Sequence, residues 1–440
     1  MGLLPSASFN LPARLFRGLD RVADRLGLFR RPLPPEKLVD LARRRSGLDD
    51  FGEWSFEEPL AVLLRSYYEE ANLSTFGRIA VRWDMLRFLT NLLRLRAEEK
   101  RNPAVLEERI DRPIFVLGLP RSGTTFLHNL LADDPGNLTP RCWQTVFPYP
   151  VGVQKNGSRD RRAELTARQY SQFLLLAPEL PSLHPLDAHA AQECIEITGH
   201  VFRSLRFDTT HYIPSFQQWL EDAGHLEAYR FHKRFLQHLQ HQTAGGGRWV
   251  LKCPDHVFAL AAIRAVYPDA RLVFVHRDPL AVLLSVARLT EVLRRPFTRN
   301  VDKTEIGRQD SERWLAATEL MIAAAQEQRF AEPIFHVHYL DLVSNPVSTV
   351  AALYRHFSGA LDPDTAARIG RLVEAKPNGG YGAHGSRLEE YGLDAAFERE
   401  RYARYMAHFG IRPELEKKSS RSAKSLPLLT SPGRSAKPAE

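Results

Sequence analysis

Cysteine is scarce in this chain: Cys142, Cys194 and Cys253 are the only three among 440 residues, and more than fifty positions separate each from the next. That spacing contains no C-x-x-C pair, which excludes a disulfide framework and a thiolate zinc or redox motif and fits a reducing compartment. Long apolar runs are missing as well. No stretch approaches the roughly 20 consecutive apolar residues of a membrane-spanning helix, and the first residues lack the apolar core of a signal peptide. The expectation is a soluble, cytoplasmic protein without internal repeats, and its 44% hydrophobic content is enough to fill a globular core.

A charge excess over the folded body is absent too, although the formal net charge is +8. Residues 1–31 hold six arginines against two aspartates, and residues 416–440 hold six basic residues against two glutamates, so each end carries +4 and the span 32–415 is neutral. Basicity confined to the ends leaves no nucleic-acid footprint, and no nucleic-acid partner is expected. Leu15, Phe16, Leu19, Val22, Leu26 and Phe29 share one helical face opposite the arginines, so residues 1–31 read as a basic amphipathic helix. Two placements stay open: packed on the body, or lying on an anionic membrane as a peripheral contact. Residues 32–110 read as a helical N-terminal segment, and 416–440 as a disordered basic tail rich in Ser, Pro and Lys.

Over 111–415 short apolar runs alternate with helical patterns. The runs Ile114–Leu119, Trp249–Leu251, Leu272–His276 and Ile334–His338 are too short for helices, and patterns such as His256–Val266, Pro279–Leu293 and Pro346–Phe357 follow them. This alternation predicts an α/β fold, a doubly wound parallel sheet in a three-layer sandwich of the P-loop NTPase kind, with its ligands outside the carboxyl ends of the strands. A helical insertion at about 140–245, dense in aromatic and histidine residues, is expected to cover the site.

The most telling absence is one lysine. Gly118-Leu119-Pro120-Arg121-Ser122-Gly123-Thr124-Thr125 has the G-x-x-x-x-G frame of a phosphate-binding loop between an apolar strand and a helix, yet Thr124 stands where an NTPase keeps its lysine. The loop amides and helix N-terminus still make an anion site, and Arg121 places a cation inside it. A donor with a single substituted 5′-phosphate needs less charge compensation than a triphosphate, and no metal bridging β and γ. A 5′-phosphosulfate fits.

The hexapeptide Pro120–Thr125 resembles the 5′-phosphosulfate loop of sulfotransferases, which use 3′-phosphoadenosine-5′-phosphosulfate (PAPS). A second stretch strengthens the resemblance. Arg277 ends a strand, Asp278 and Pro279 supply an N-cap and N1 residue, and Ser285 lies eight residues after Arg277. In the family, an Arg and a Ser at this spacing grip the 3′-phosphate. Tyr339, Asp341 and Leu342 match a Y-x-D-L turn, and Gly379–Asp394 is similar to the loop that closes over the nucleotide, with Arg387 its implied contact ahead of His384 and Ser386. The resemblance thus implies PAPS as co-substrate without a metal, bound by Arg121, Ser122, Gly123, Thr124, Thr125, Arg277, Ser285 and Arg387.

For chemistry, Lys252 at the end of "RWVLK" resembles the family's catalytic lysine and is expected to reach the bridging oxygen. Two residues compete for the base. His256 in "LKCPDH" is placed first, because an imidazole pKa near 6.5 suits proton transfer near neutrality, and Glu193 second. Gln144 sits where some relatives have a carboxylate and cannot act as a base. His189 and Glu193 share an i, i+4 face in a segment read as helical, but no third ligand joins them and no metal is expected. The implied activity is sulfuryl transfer to a hydroxyl, or secondarily an amine, of a small-molecule, lipid or glycan acceptor. A P-loop kinase with a variant loop and a catalytically inactive nucleotide-binding or membrane scaffold are the rival readings. Acceptor identity and oligomeric state stay open.

Overall fold

A computed structural model describes residues 34–150, 160–174, 186–243, 246–327, 329–375 and 387–414, with a few isolated positions besides. Five parallel strands form one sheet: β1 Ile114–Gly118, β2 Asn137–Leu138, β3 Arg248–Lys252, β4 Arg271–His276 and β5 Phe335–His338, in the spatial order β2-β3-β1-β4-β5. The runs that sequence periodicity marks as strands are β1, β3, β4 and β5. The edge strand β2 has two residues, too few to leave a periodic signal.

Both faces of the sheet are buried, which is why its strands read as continuous apolar runs. Alternation along β1 divides the core. Phe115 and Leu117 point into the larger apolar cluster, whereas Ile114 and Val116 point into a second cluster on the opposite face. The larger cluster is closed by helices α1 (Pro35–Ser46), α2 (Glu57–Glu69), α3 (Thr75–Arg101) and, from the insertion, α4 (Leu226–His241). Helices Thr124–Ala132 and Pro346–His356 close the second through Leu127, Leu130, Leu131, Val350 and Leu353. Each fully buried Leu, Val or Phe contributes about 1.5–3 kcal/mol, so the helical N-terminal segment and the sheet share one large source of stability.

Two local expectations are corrected. The stretch containing His189 and Glu193 is not helical before Ile195, because an antiparallel bridge pairs Arg141 with Ala191 and backbone bonds tie Cys142 to Ala190 and Gln192 to Pro140. His189 and Glu193 therefore share no helix face. The helical pattern after β3 begins as a 3₁₀ turn, Pro254–Ala259, before the α-helix Leu260–Val266. Most of residues 1–31, all of 376–386 and all of 415–440 lie outside the described residues, and with them His384, Ser386 and the readings of both chain ends.

Candidate active site

The turn after β1 is built from glycine at two places where a side chain cannot fit. A Cβ on Gly118, whose φ is +151°, would lie 2.3 Å from the carbonyl oxygen of Val275 on β4. A Cβ on Gly123, at φ +101°, would lie 2.9 Å from the Tyr339 ring. Between them Arg121 has φ +64°, a left-handed conformation that costs a non-glycine residue about 1 kcal/mol and that recurs where function dictates geometry. Helix Thr124–Ala132 starts directly on Gly123 without a side-chain cap, so its first amides remain available to an anion. Ser122 is buried with its hydroxyl unpartnered among the described residues, and Thr124 is buried beside it. A backbone cradle, a free hydroxyl and an arginine suit a phosphate-like group.

The end of β4 meets this loop. Asp278 caps the helix Pro279–Arg294 by accepting from the Leu280 amide at 3.1 Å, which fixes the strand-to-helix turn. Arg277 donates through Nη1 to the Arg121 carbonyl at 2.7 Å, its guanidinium lies 3.9 Å from the Tyr339 ring centre, and Nε and Nη2 meet the Glu414 carboxylate at 3.0 and 2.9 Å. Arg121 donates from Nε to the Ser285 hydroxyl at 3.0 Å. Arg121, Arg277 and Ser285, drawn from two distant motifs, thus form one contiguous polar surface.

At the neighbouring strand end Lys252 is 2% exposed. Its ammonium donates to the Thr125 hydroxyl at 2.9 Å and ion-pairs with Glu193. The Cys194 amide donates to the Lys252 carbonyl at 3.0 Å, which locks the insertion onto the end of β3 and sets Glu193 against the lysine. Lys252, Thr125 and Glu193 accordingly stand together.

His256 is placed differently from its first rank as a base. It is fully buried, its Nδ1 is hydrogen-bonded to the Tyr229 hydroxyl, and Phe115 packs edge-on at 5.0 Å. Burial pushes its pKa well below the usual histidine value, with His232 and Lys252 adding to the effect. A ring buried this deeply, paired at Nδ1 and held well below the usual histidine range is a poor acceptor for a proton, so the physical case for a base moves to Glu193. Among the described residues the His256 Nε2, Arg203 Nε and Asp255 Oδ2 lack hydrogen-bond partners, and these residues line one cavity beside Cys194 and Tyr229. Burial, and secondarily the Glu193 charge, raises the Asp255 carboxyl to about 7.

Gln144 accepts from the Arg141 amide at 2.9 Å and closes a short helix, a structural role. Arg387 is exposed at the start of the 3₁₀ turn Leu388–Tyr391, where its amide donates to Glu390 at 3.0 Å, and its described contacts do not join it to Arg121 or Arg277. The sequence patterns overlook Glu414 altogether, since no local motif announces a contact across 137 positions. Among the described residues, no group of three or more His, Cys, Asp or Glu is placed to hold a metal ion, and no helix is long and apolar enough to cross a membrane.

Comparison with known proteins identifies the family. The model of the sulfotransferase family matches residues 113–363, and the chain belongs to that family. Among solved structures, the sulfotransferase STF9 of Mycobacterium avium superposes with a TM-score of 0.78 at 28% identity, covering 86% of this chain and 97% of its own. STF1 of Mycobacterium tuberculosis gives a TM-score of 0.73 at 30% identity over 84% of this chain and 98% of its own. A curated relative, the omega-hydroxy-beta-dihydromenaquinone-9 sulfotransferase of Mycobacterium bovis, is 23% identical over 258 residues, which are 56% of this chain and 62% of that protein. The chain therefore spans less than two thirds of that relative's length.

Proposed function

We propose that this chain transfers the sulfuryl group of PAPS to a hydroxyl, or secondarily an amine, of a small-molecule, lipid or glycan acceptor. The observation that carries the reading is the meeting of Arg121, Arg277 and Ser285 at the end of β4, next to a phosphate loop whose close ammonium, Lys252, comes from a different strand. In this reading Arg277 and Ser285 hold the 3′-phosphate, while Arg121 and the amides after Gly123 with Ser122, Thr124 and Thr125 hold the 5′-phosphate. Arg387 stays a secondary candidate for the 3′ side.

The residues divide the chemistry by position. Glu193 takes the proton of the acceptor hydroxyl as its oxygen bonds to sulfur and the bond from sulfur to the bridging phosphate oxygen breaks. Lys252 stabilises the negative charge that develops on that leaving oxygen, aided by the loop amides. Shielding from water strengthens both interactions. The unpartnered polar atoms of Arg203 and Asp255 beside this centre suit a polar group of the acceptor.

An omega-hydroxy lipid quinone in the name of the curated relative supports an apolar acceptor carrying a hydroxyl. Val22 and Leu26, the described members of the apolar face of residues 1–31, are 53% and 71% exposed, which supports a peripheral membrane contact through residues 1–31 over packing on the body. Deleting 1–31 should then abolish binding to anionic liposomes.

Thermal-shift titration of 3′,5′-ADP against ATP with Mg²⁺ tests the nucleotide assignment. Stabilisation by 3′,5′-ADP alone, with turnover insensitive to EDTA, is the expected result. Preference for ATP with Mg²⁺ replaces the reading with a kinase.

A further inference from the structure

We propose that Glu414 is an internal anion on Arg277 that the 3′-phosphate of the nucleotide must displace, so that this carboxylate sets the threshold at which the site accepts a nucleotide. The inference rests on the assignment of Arg277 to the 3′-phosphate made above.

The geometry leaves little room for another arrangement. A guanidinium presents five N–H groups, and the edge formed by Nε and one Nη is the fork that matches a carboxylate or phosphate bidentately. On Arg277 that edge is taken by Glu414, at 3.0 Å from Nε and 2.9 Å from Nη2, Nη1 is turned to the Arg121 carbonyl at 2.7 Å, and one face lies on Tyr339. A phosphate reaching for the same fork meets a carboxylate already seated there, and two anions on one guanidinium repel.

The segment bearing Glu414 is anchored independently of the ion pair. The Ile411 amide donates to the Met406 carbonyl at 2.9 Å, and Ile411 is buried in the main apolar cluster. The Glu414 amide donates to Asp278 Oδ2 at 2.7 Å, the same carboxylate that caps the helix carrying Ser285. With backbone fixed at both points, the side chain can leave Arg277 by a rotamer change while the segment stays in place. Solvent reaches both partners, whose side chains are 20% and 17% exposed, so an incoming anion can approach the pair.

Glu414 therefore acts on specificity. The apparent affinity for a 3′-phosphorylated nucleotide falls by the fraction of molecules in which Arg277 is free, so a contact made in about nine molecules of ten weakens it about tenfold. A nucleotide with a bare 3′-hydroxyl has no charge with which to displace the carboxylate and gains nothing from its removal.

Calorimetric titration of the full chain and of Glu414→Gln and Glu414→Ala with 3′,5′-ADP and with 5′-AMP tests this. Glu414→Gln keeps the shape and the backbone bond to Asp278, and thermal melts of the free proteins check that both variants fold. Both should bind 3′,5′-ADP about five- to tenfold tighter than the parent, with 5′-AMP affinity unchanged and the gain shrinking as salt is raised. Unchanged or weaker 3′,5′-ADP binding in both variants overturns the proposal, as does an equal gain for 5′-AMP. If neither parent nor variants bind 3′,5′-ADP, the nucleotide assignment itself falls and this inference falls with it.

Discussion

Arg277 donates to the backbone carbonyl of Arg121 at 2.7 Å across 156 positions of sequence, so the end of β4 and the turn after β1 are one rigid unit. A side chain that binds a ligand through one edge while bracing the phosphate loop through another couples the two ends of a nucleotide.

That coupling gives the first prediction. At a hundredfold excess over its Kd, 3′,5′-ADP should stabilise the parent by about 2.7 kcal/mol, and Arg277→Ala should lose most of that stabilisation. Differential scanning fluorimetry reads it directly. A full response in the variant would remove Arg277 from the nucleotide site.

The separation of Lys252 and Glu193 from His256 gives the second. Glu193→Gln and Lys252→Ala should each lower turnover by roughly 10²- to 10⁴-fold, with 3′,5′-ADP affinity retained in Glu193→Gln. His256→Ala opens a hole in the core and should cost roughly 2–5 kcal/mol in urea denaturation, with turnover per folded molecule little changed. Loss of turnover in a fully stable His256→Gln, together with an active Glu193→Gln, would restore the histidine as base.

Glycine supplies the third. Gly118→Ala drives a methyl group to 2.3 Å from the Val275 oxygen at a φ of +151°, and should cost roughly 3 kcal/mol or more, seen as a lowered melting temperature or insoluble protein. Gly370→Ala, in the helix Pro363–Ala375 with nothing near the added carbon, should instead stabilise by about 0.5–1 kcal/mol.

The fourth concerns acid. Burial holds His128, His200, His211 and His232 each at about 3 in the folded protein, whereas unfolded histidine titrates near 6.5. Between those values the unfolded chain binds more protons, so stability is present above about 6.5 and is lost as pH falls, by about 1.4 kcal/mol per pH unit for each histidine. Asp255, raised to about 7, opposes this, because between the unfolded carboxyl value and 7 the folded state binds the extra proton. Asp310, raised by burial to about 6, opposes it in the same way, and four histidines outweigh two carboxyls. Urea denaturation at pH 7.5, 6.5 and 5.5 should find stability falling with acidity, and falling more steeply in Asp255→Asn.

Sequence by itself determined the features that depend on a few neighbouring residues: the glycines of the turn, the Asp278–Pro279 helix start, the buried strands and the eight-residue step from Arg277 to Ser285. These are legible because backbone dihedrals, capping and periodicity are local properties. The tertiary structure alone decided that Ala191 pairs with Arg141 and keeps Glu193 out of a helix, that Phe115 and Tyr229 enclose His256, and that Glu414 lies on Arg277. Burial and charge pairing are set by whichever surfaces meet when the sheet and its helices pack, and residues far apart in the chain carry no mark of that meeting.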